Sequence, residues 1–206
     1  MTSKQFHRLA LLTTGAALLV LHGCTATSAP TKFYVLNALP NQGTEAQAAP
    51  IDQCLAIGVG PVELPEYLDR EEIVTRVSAN ELNMAQFDQW AEPLQSNFSR
   101  VLAENLSVLL CTEPIAVFPW IGSTPIDYQI TVEVTRFDGR LGGDADLVAR
   151  WSIFRSDDNI ALLTRKSGYS EPTGSSSYAS LASAQSRALE ALSRDIAEAL
   201  ETVLQK

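Results

Sequence analysis

Ile126-Asp127-Tyr128-Gln129-Ile130-Thr131-Val132-Glu133-Val134-Thr135 alternates strictly between apolar or aromatic and polar residues. Successive side chains of a strand point to opposite faces, so this stretch sets Ile126, Tyr128, Ile130, Val132 and Val134 against a core and leaves the other face wet. A sheet with one dry face needs more strands and a cover, and the downstream sequence supplies both. A Gly-rich loop over 138–144 leads into Ala145–Phe154, where Leu147, Ala149, Trp151 and Ile153 share a face. Ser156–Asn159 then turns the chain into a strand over 160–166. This gives three antiparallel strands in a row. After a Ser- and Gly-rich loop over 168–177, a helix runs from Tyr178 to Leu204, with a serine of 175–177 as its cap. Its apolar stripe is Leu181, Ala184, Ala188, Leu192, Ile196, Leu200 and Val203.

Upstream, Leu94, Phe98, Val101, Leu102, Leu106, Leu109 and Leu110 recur at three and four residues. They predict an amphipathic helix that Pro93 can start and that stops near Cys111. Short β-rich runs over 33–36, 54–60, 73–77, 81–84 and 115–118 predict strands, the second ending at Pro61 because proline has no ladder donor. Residues 37–50 read as an exposed loop. The predicted fold is α+β in a single domain over 33–206, an antiparallel or mixed sheet with two long helices packed on one face.

Ahead of that domain, Lys4, His7 and Arg8 precede an apolar run from Leu9 to Leu21. Its 13 residues fall short of the roughly 20 that cross a bilayer as a helix. Ending in Leu21-His22-Gly23-Cys24, the segment resembles a bacterial lipoprotein signal. That resemblance implies a signal peptide over 1–23, lipid on Cys24, and a flexible small-residue tether over 24–32. Thr25 after the cysteine is the residue type that, in such lipoproteins, accompanies transfer to the outer membrane.

Cleavage before Cys24 removes 23 of the 206 residues, including Lys4 and Arg8 but no acid, and the formal net charge moves from −9 to −11. Such a chain repels phosphate backbones, which argues against nucleic acid as a partner. Membrane attachment then has to come from the anchor. Both histidines, His7 and His22, fall within the signal, so the mature chain lacks the commonest general base and transition-metal ligand. Cys54 and Cys111 remain. In an oxidising periplasm they are candidates for a disulfide, which would contribute about 4 kcal/mol in the chain-entropy model; two buried free thiols are the alternative.

No catalytic, metal or cofactor site follows from the remaining residues. Gly139–Gly143 carries neither phosphate-loop nor dinucleotide spacing and reads as a β-turn. Asp144, Asp146, Asp157 and Asp158 match no Ca²⁺ loop. Asp69, Glu71 and Glu72 beside Arg70 and Arg76 read as a salt-laced surface rather than paired catalytic acids. The serines at 175–177 have no histidine and no nucleophile-elbow context. Trp90, Trp120 and Trp151 read as core aromatics, Trp120 also as a candidate surface contact.

The segment Ile57–Arg70, with its core Val62-Glu63-Leu64-Pro65-Glu66-Tyr67-Leu68-Asp69-Arg70, is followed by Ile73-Val74-Thr75-Arg76 and Trp90-Ala91-Glu92-Pro93-Leu94. Together with Phe33–Leu36, Val101–Leu106 and the strand over 128–137, it resembles the ABC-type transport auxiliary lipoprotein family. The resemblance implies an outer-membrane lipoprotein on the periplasmic face of a Gram-negative cell, without enzymatic activity or cofactor. Implied partners are a periplasm-spanning protein with a mammalian-cell-entry (MCE) domain and an inner-membrane transport component, together moving phospholipid or another apolar solute between membranes. Pro65, Tyr67, Leu68, Asp69, Arg70 and Trp120 are the candidate partner-binding residues, although shaping the fold is the leading reading of the Pro65–Arg70 segment. Two other functions stand beside this adaptor. One is a carrier holding apolar ligand in a cavity lined by residues such as Val101, Leu106 and Trp151. The other is a structural outer-membrane lipoprotein. MCE assemblies are rings, so a homo-oligomer is compatible with the resemblance.

Overall fold

The computed structural model describes residues 29–40, 55–110, 115–120 and 125–205. The signal, Cys24, Cys54, Cys111 and residues 41–50 of the expected loop lie outside the described residues. The strands are β1 (Lys32–Tyr34), β2 (Ile57–Glu63), β3 (Glu72–Arg76), β4 (Leu82–Trp90), β5 (Ile115–Val117), β6 (Tyr128–Gly139), β7 (Asp144–Arg155) and β8 (Ile160–Pro172). Helix α1 spans Leu94–Leu110 and α2 spans Tyr178–Leu204. Neither is long and apolar enough to cross a membrane.

The expected α+β architecture is present, but the strands divide into two sheets rather than one. A mixed five-stranded sheet has the order β5-β2-β6-β7-β8, with β2 parallel to both neighbours and β6, β7 and β8 antiparallel. A smaller sheet has the order β1-β4-β3. The alternation along β6 holds: Ile130, Val132 and Val134 are buried, and on β7 so are Leu147, Ala149, Trp151 and Ile153. Both helices cover this apolar face. Ser177 caps α2, its Oγ accepting from the Ser180 N–H at 3.1 Å. Phe98 of α1 meets Phe137 of β6 edge-to-face, ring centres 5.3 Å apart.

Four strands run further along the chain than their hydrophobic pattern indicates. β2 passes through Pro61 because its pairing with β6 skips from Val59 to Val62, so no partner requires the missing donor. At that irregularity Gly60 has φ +120°, a conformation that L side chains rarely adopt. β6 slips register between Val134 and Arg136, which lets Phe137 return to the core three residues after Val134. β4 continues past Met84 to the buried Trp90. β8 continues past Lys166 because its face toward α2 is polar there: the hydroxyls of Ser167 and Tyr169 both donate to Asp195, each at 2.8 Å.

The start of the expected loop is tied down rather than free. The Leu36 N–H donates to Asn97 Oδ1 at 2.7 Å, Asn37 N–H to Ser186 Oγ at 3.1 Å, and Leu39 N–H to Asn105 Oδ1 at 2.7 Å. Asn105 Nδ2 in turn donates to Ser193 Oγ at 3.0 Å. Asn97, Asn105 and Ser193 are fully buried on otherwise apolar helix faces. Asn97, Asn105 and Ser186 give the extended segment after β1 the hydrogen bonds that a neighbouring strand would otherwise supply.

Candidate functional site

The segment after β2 has an inward and an outward side. Pro65 opens a single 3-10 turn, Glu66–Leu68, closed by the Leu68 N–H to Pro65 O bond at 2.9 Å. The turn buries Leu68 and carries the Tyr67 hydroxyl inward, where it donates to Asp138 Oδ2 at 2.8 Å. Arg76, at the end of β3, grips the same carboxylate with two bonds, Nε to Oδ1 at 2.8 Å and Nη2 to Oδ2 at 2.7 Å. Arg136 adds a third cationic donor, Nε to Oδ1 at 3.1 Å, and reaches Asp146 with its Nη2 at 2.6 Å. Asp138 has no exposed side-chain surface. Burial by itself disfavours the ionised carboxylate, but the hydrogen bonds from Arg76, Tyr67 and Arg136 and the charge of Arg76 outweigh that and hold its pKa below the ordinary range. Burial, and then the bond to Asp138, push the Tyr67 phenol up to about 12.

On the outward side, Asp69, Arg70 and Glu71 form one wall of an open pocket of about 310 Å³. Phe33 of β1, Trp90 at the end of β4, and Ala91, Glu92 and Pro93 at the entry to α1 complete it. Backbone bonds fix the junction: Trp90 N–H to Glu71 O at 2.7 Å and Ala91 N–H to Tyr34 O at 2.9 Å. Glu92 is committed, accepting from Arg100 Nη2 at 2.6 Å and Asn97 Nδ2 at 2.7 Å. Arg70 is held back at the rim by its Nε bond to Tyr67 O at 3.0 Å. Phe33 is 63% exposed, the most exposed large hydrophobic residue among those described.

The structure therefore brings Asp69 and Arg70 to the pocket wall and turns Tyr67 and Leu68 into the fold. Trp120 stands elsewhere. Half-buried beside the edge strand β5, it meets Phe118 edge-to-face at 5.5 Å, and its ring covers Gly58, where an added Cβ would come within 2.7 Å of the Trp120 Cη2. Trp90 and Trp151 are core residues, as their setting in the sequence indicates. Two of the acids weighed as a metal site have other duties: Asp146 takes Arg136 and the Ser170 hydroxyl, and Asp158 faces Arg155. Among the described residues no group of three or more His, Cys, Asp or Glu side chains could hold a metal ion. Serines 175 and 177 belong to the cap of α2. Asp138 escaped the reading of the sequence because two of its three partners, Arg76 and Tyr67, lie 62 and 71 residues away.

Residues 34–197 match the ABC-type transport auxiliary lipoprotein component family, a span that contains both the Asp138 cluster and most of the pocket. The chain belongs to this family. It is a family of transport auxiliary lipoproteins rather than of enzymes. The intermembrane transport lipoprotein PqiC of Escherichia coli K12 is 29% identical over 137 residues, covering 66% of this chain and 70% of that protein, and the Shigella flexneri protein of the same name aligns equally well. Among solved structures, protein XCC0632 from Xanthomonas campestris superposes with a TM-score of 0.69 at 16% identity, covering 85% of this chain and 97% of that one. An uncharacterised protein superposes with a TM-score of 0.67 at 21% identity, covering 84% and 99%. These two likenesses concern the fold.

Proposed function

We propose that the protein is an adaptor anchored by lipid on Cys24 to the periplasmic face of the outer membrane. In this reading residues 1–23 are the signal, 24–32 the tether and 33–206 the working domain. It docks a periplasm-spanning MCE-domain protein that, with an inner-membrane transport component, moves phospholipid or another apolar solute between membranes. The name of the E. coli relative, an intermembrane transport lipoprotein, supports this setting. The observation that carries the adaptor over the carrier is the state of the core. Val101 and Leu106 have no exposed surface and Trp151 has 1%, and all three belong to one continuous hydrophobic cluster instead of facing the pocket. Of the sequence elements that carry the family resemblance, Phe33, Asp69, Arg70 and Trp90–Pro93 line an open pocket instead.

A pull-down of the full lipoprotein in detergent, with Cys24→Ala as control and mass spectrometry of proteins and lipids, tests this. Recovery of an MCE-domain protein without stoichiometric lipid is expected. Stoichiometric phospholipid on the isolated protein would favour the carrier, and recovery of neither would leave only an anchored domain. The same reading joins Cys54 to Cys111. The parallel pairing of Ile57 with Ile115 brings together the strands that follow each cysteine, which supports the bridge. Mass spectrometry of the unreduced protein should show the two peptides linked, and two free thiols would refute the bridge.

A further inference from the structure

We propose that the free edge of β8 pairs with β8 of a second copy of this chain, antiparallel about a two-fold axis at Gly168, so that two five-stranded sheets become one. This goes beyond the adaptor reading and does not depend on it.

β8 ends its sheet, and its free edge is open in the middle and closed at both ends. Thr173 N–H donates to Gly143 O at 2.9 Å, one pair beyond Pro172 and Asp144, so alternation along the ladder turns the main-chain groups of the odd-numbered residues toward β7. The N–H and C=O of Thr164, Lys166, Gly168 and Ser170 therefore face away from the sheet, with no partner among the described residues. At one end Pro172 has no N–H, and its carbonyl is taken by Arg187 Nη2. At the other, the pairing with β7 skips Leu162. Between these stops the register is unbroken, which leaves a straight template for one more strand.

Charge complementarity selects the occupant and the register. In a two-fold antiparallel pair, edge-facing residues oppose edge-facing residues, and directly opposite side chains share a face. Centred on Gly168, the pairing sets Arg165 opposite Glu171 on each side of the axis, Lys166 opposite Ser170, and Gly168 opposite itself with no side chain between. Lysine guards edges against stray strands, and centring on Lys166 would oppose two of them; centring on Ser167 or Tyr169 loses the Arg165–Glu171 pairs. The helices fit the same axis. α2 lies over β7 and β8. With strands about 4.8 Å apart, the two copies of α2 come antiparallel and about 10 Å from each other, a helix-packing distance. The flank of α2 above β8 carries Arg187, Ala191 and Asp195 at four-residue spacing, and the middle one is small.

The test uses the purified full-length protein in detergent. Light scattering, with the detergent's share subtracted, should give the protein mass of two chains. Gly168→Pro removes an N–H that the single chain does not use, so circular dichroism should be unchanged while the mass halves. Gly168→Cys fits the fold, because an added Cβ meets only Val148 Cγ2 at 3.8 Å and Leu147 O at 4.0 Å. It should form a disulfide-linked dimer on mild oxidation that wild type does not, since opposed Cα atoms of a hydrogen-bonded pair lie about 5.5 Å apart, within disulfide reach. Lys166→Cys and Ser170→Cys proteins, mixed and allowed to exchange, should cross-link to each other, and neither should cross-link to itself. The mass of one chain at every concentration would overturn the proposal. So would a larger mass that Gly168→Pro leaves unchanged, or failure of Gly168→Cys to cross-link while Lys166→Cys links to itself.

Discussion

Tyr67 and Asp69 are two residues apart in one short turn, yet their surroundings have almost nothing in common. Tyr67 looks inward to a carboxylate with no exposed surface and three partners drawn from β3, β6 and the turn itself. Asp69 looks outward to an open pocket and forms no ion pair among the described residues. The inner site is over-determined, since Asp138 is reached by two arginines and a phenol, and each holds a different strand or turn in place. The outer site is underdetermined and is therefore available to something else. A sequence motif spanning both sides mixes residues that specify the fold with residues that can specify a partner, and burial separates them.

The sharpest way to break this contrast is Asp138→Asn, which keeps the shape and removes the charge that Arg76 and Arg136 compensate. Breaking a buried pair by removing one partner costs about 3–5 kcal/mol, and urea unfolding should show a loss of that order. The pH dependence gives a second readout. The carboxyl is held below its ordinary value in the folded protein, so its contribution is present above the unfolded value near 3.9 and disappears as pH falls through the lower folded one. The stability gap between wild type and Asp138→Asn should be wide at neutral pH and close in acid below about pH 4. A constant gap would mean the carboxylate's charge is not what holds the turn.

Next in size are the helix asparagines. Asn105→Ala strips Leu39 N–H and Ser193 of a buried partner and should cost about 1–3 kcal/mol, measured by urea unfolding. Asn97→Ala should cost a similar amount, because it frees Leu36 N–H and loosens Glu92 at the pocket wall. If the two losses fail to reach about 1 kcal/mol, the segment after β1 is not secured by these side chains.

These sites also mark where the sequence was readable. The apolar periodicities of Leu94–Leu110 and Tyr178–Leu204 placed both helices, and the alternation over 126–135 placed the central strand, because each is a local consequence of one wet face and one dry. What escaped was polar and long-range. β8 beyond Lys166 turns Ser167, Tyr169 and Glu171 toward α2, where Asp195 and Arg187 receive them, so no hydrophobic period announces the strand. Asn97 and Asn105 sit within apolar stripes with nothing to show that a strand's orphan N–H groups would find them. Of the candidate site, the Pro65–Arg70 segment was visible from the sequence, but its division into an inner and an outer half was not. Phe33 and Glu71 join the pocket only through tertiary structure.

Tyr67→Phe probes the inner half more gently. It deletes one bond to a charged acceptor and should cost about 1.5–3 kcal/mol at neutral pH by urea unfolding. The phenol is raised to about 12 from an ordinary value near 10, so its contribution is fully present below pH 10 and declines as pH rises toward 12. The difference between wild type and Tyr67→Phe should therefore shrink over that alkaline window. A pH-independent difference would place the effect in packing rather than in the hydrogen bond.

The smallest expected effect tests the other half of the contrast. Asp69→Lys/Glu71→Lys reverses two charges within the same turn that Tyr67 secures, so any structural role of the outer face should register in stability. Both side chains are exposed and form no ion pairs among the described residues, and such surface changes ordinarily stay within about 0.5 kcal/mol. Relief of repulsion between the neighbouring acids would even raise stability slightly in this acidic chain. The midpoint of thermal unfolding should therefore move by no more than a few degrees. A loss above about 1 kcal/mol would show that the rim helps to specify the fold, and the division between the two sides of the turn would fail.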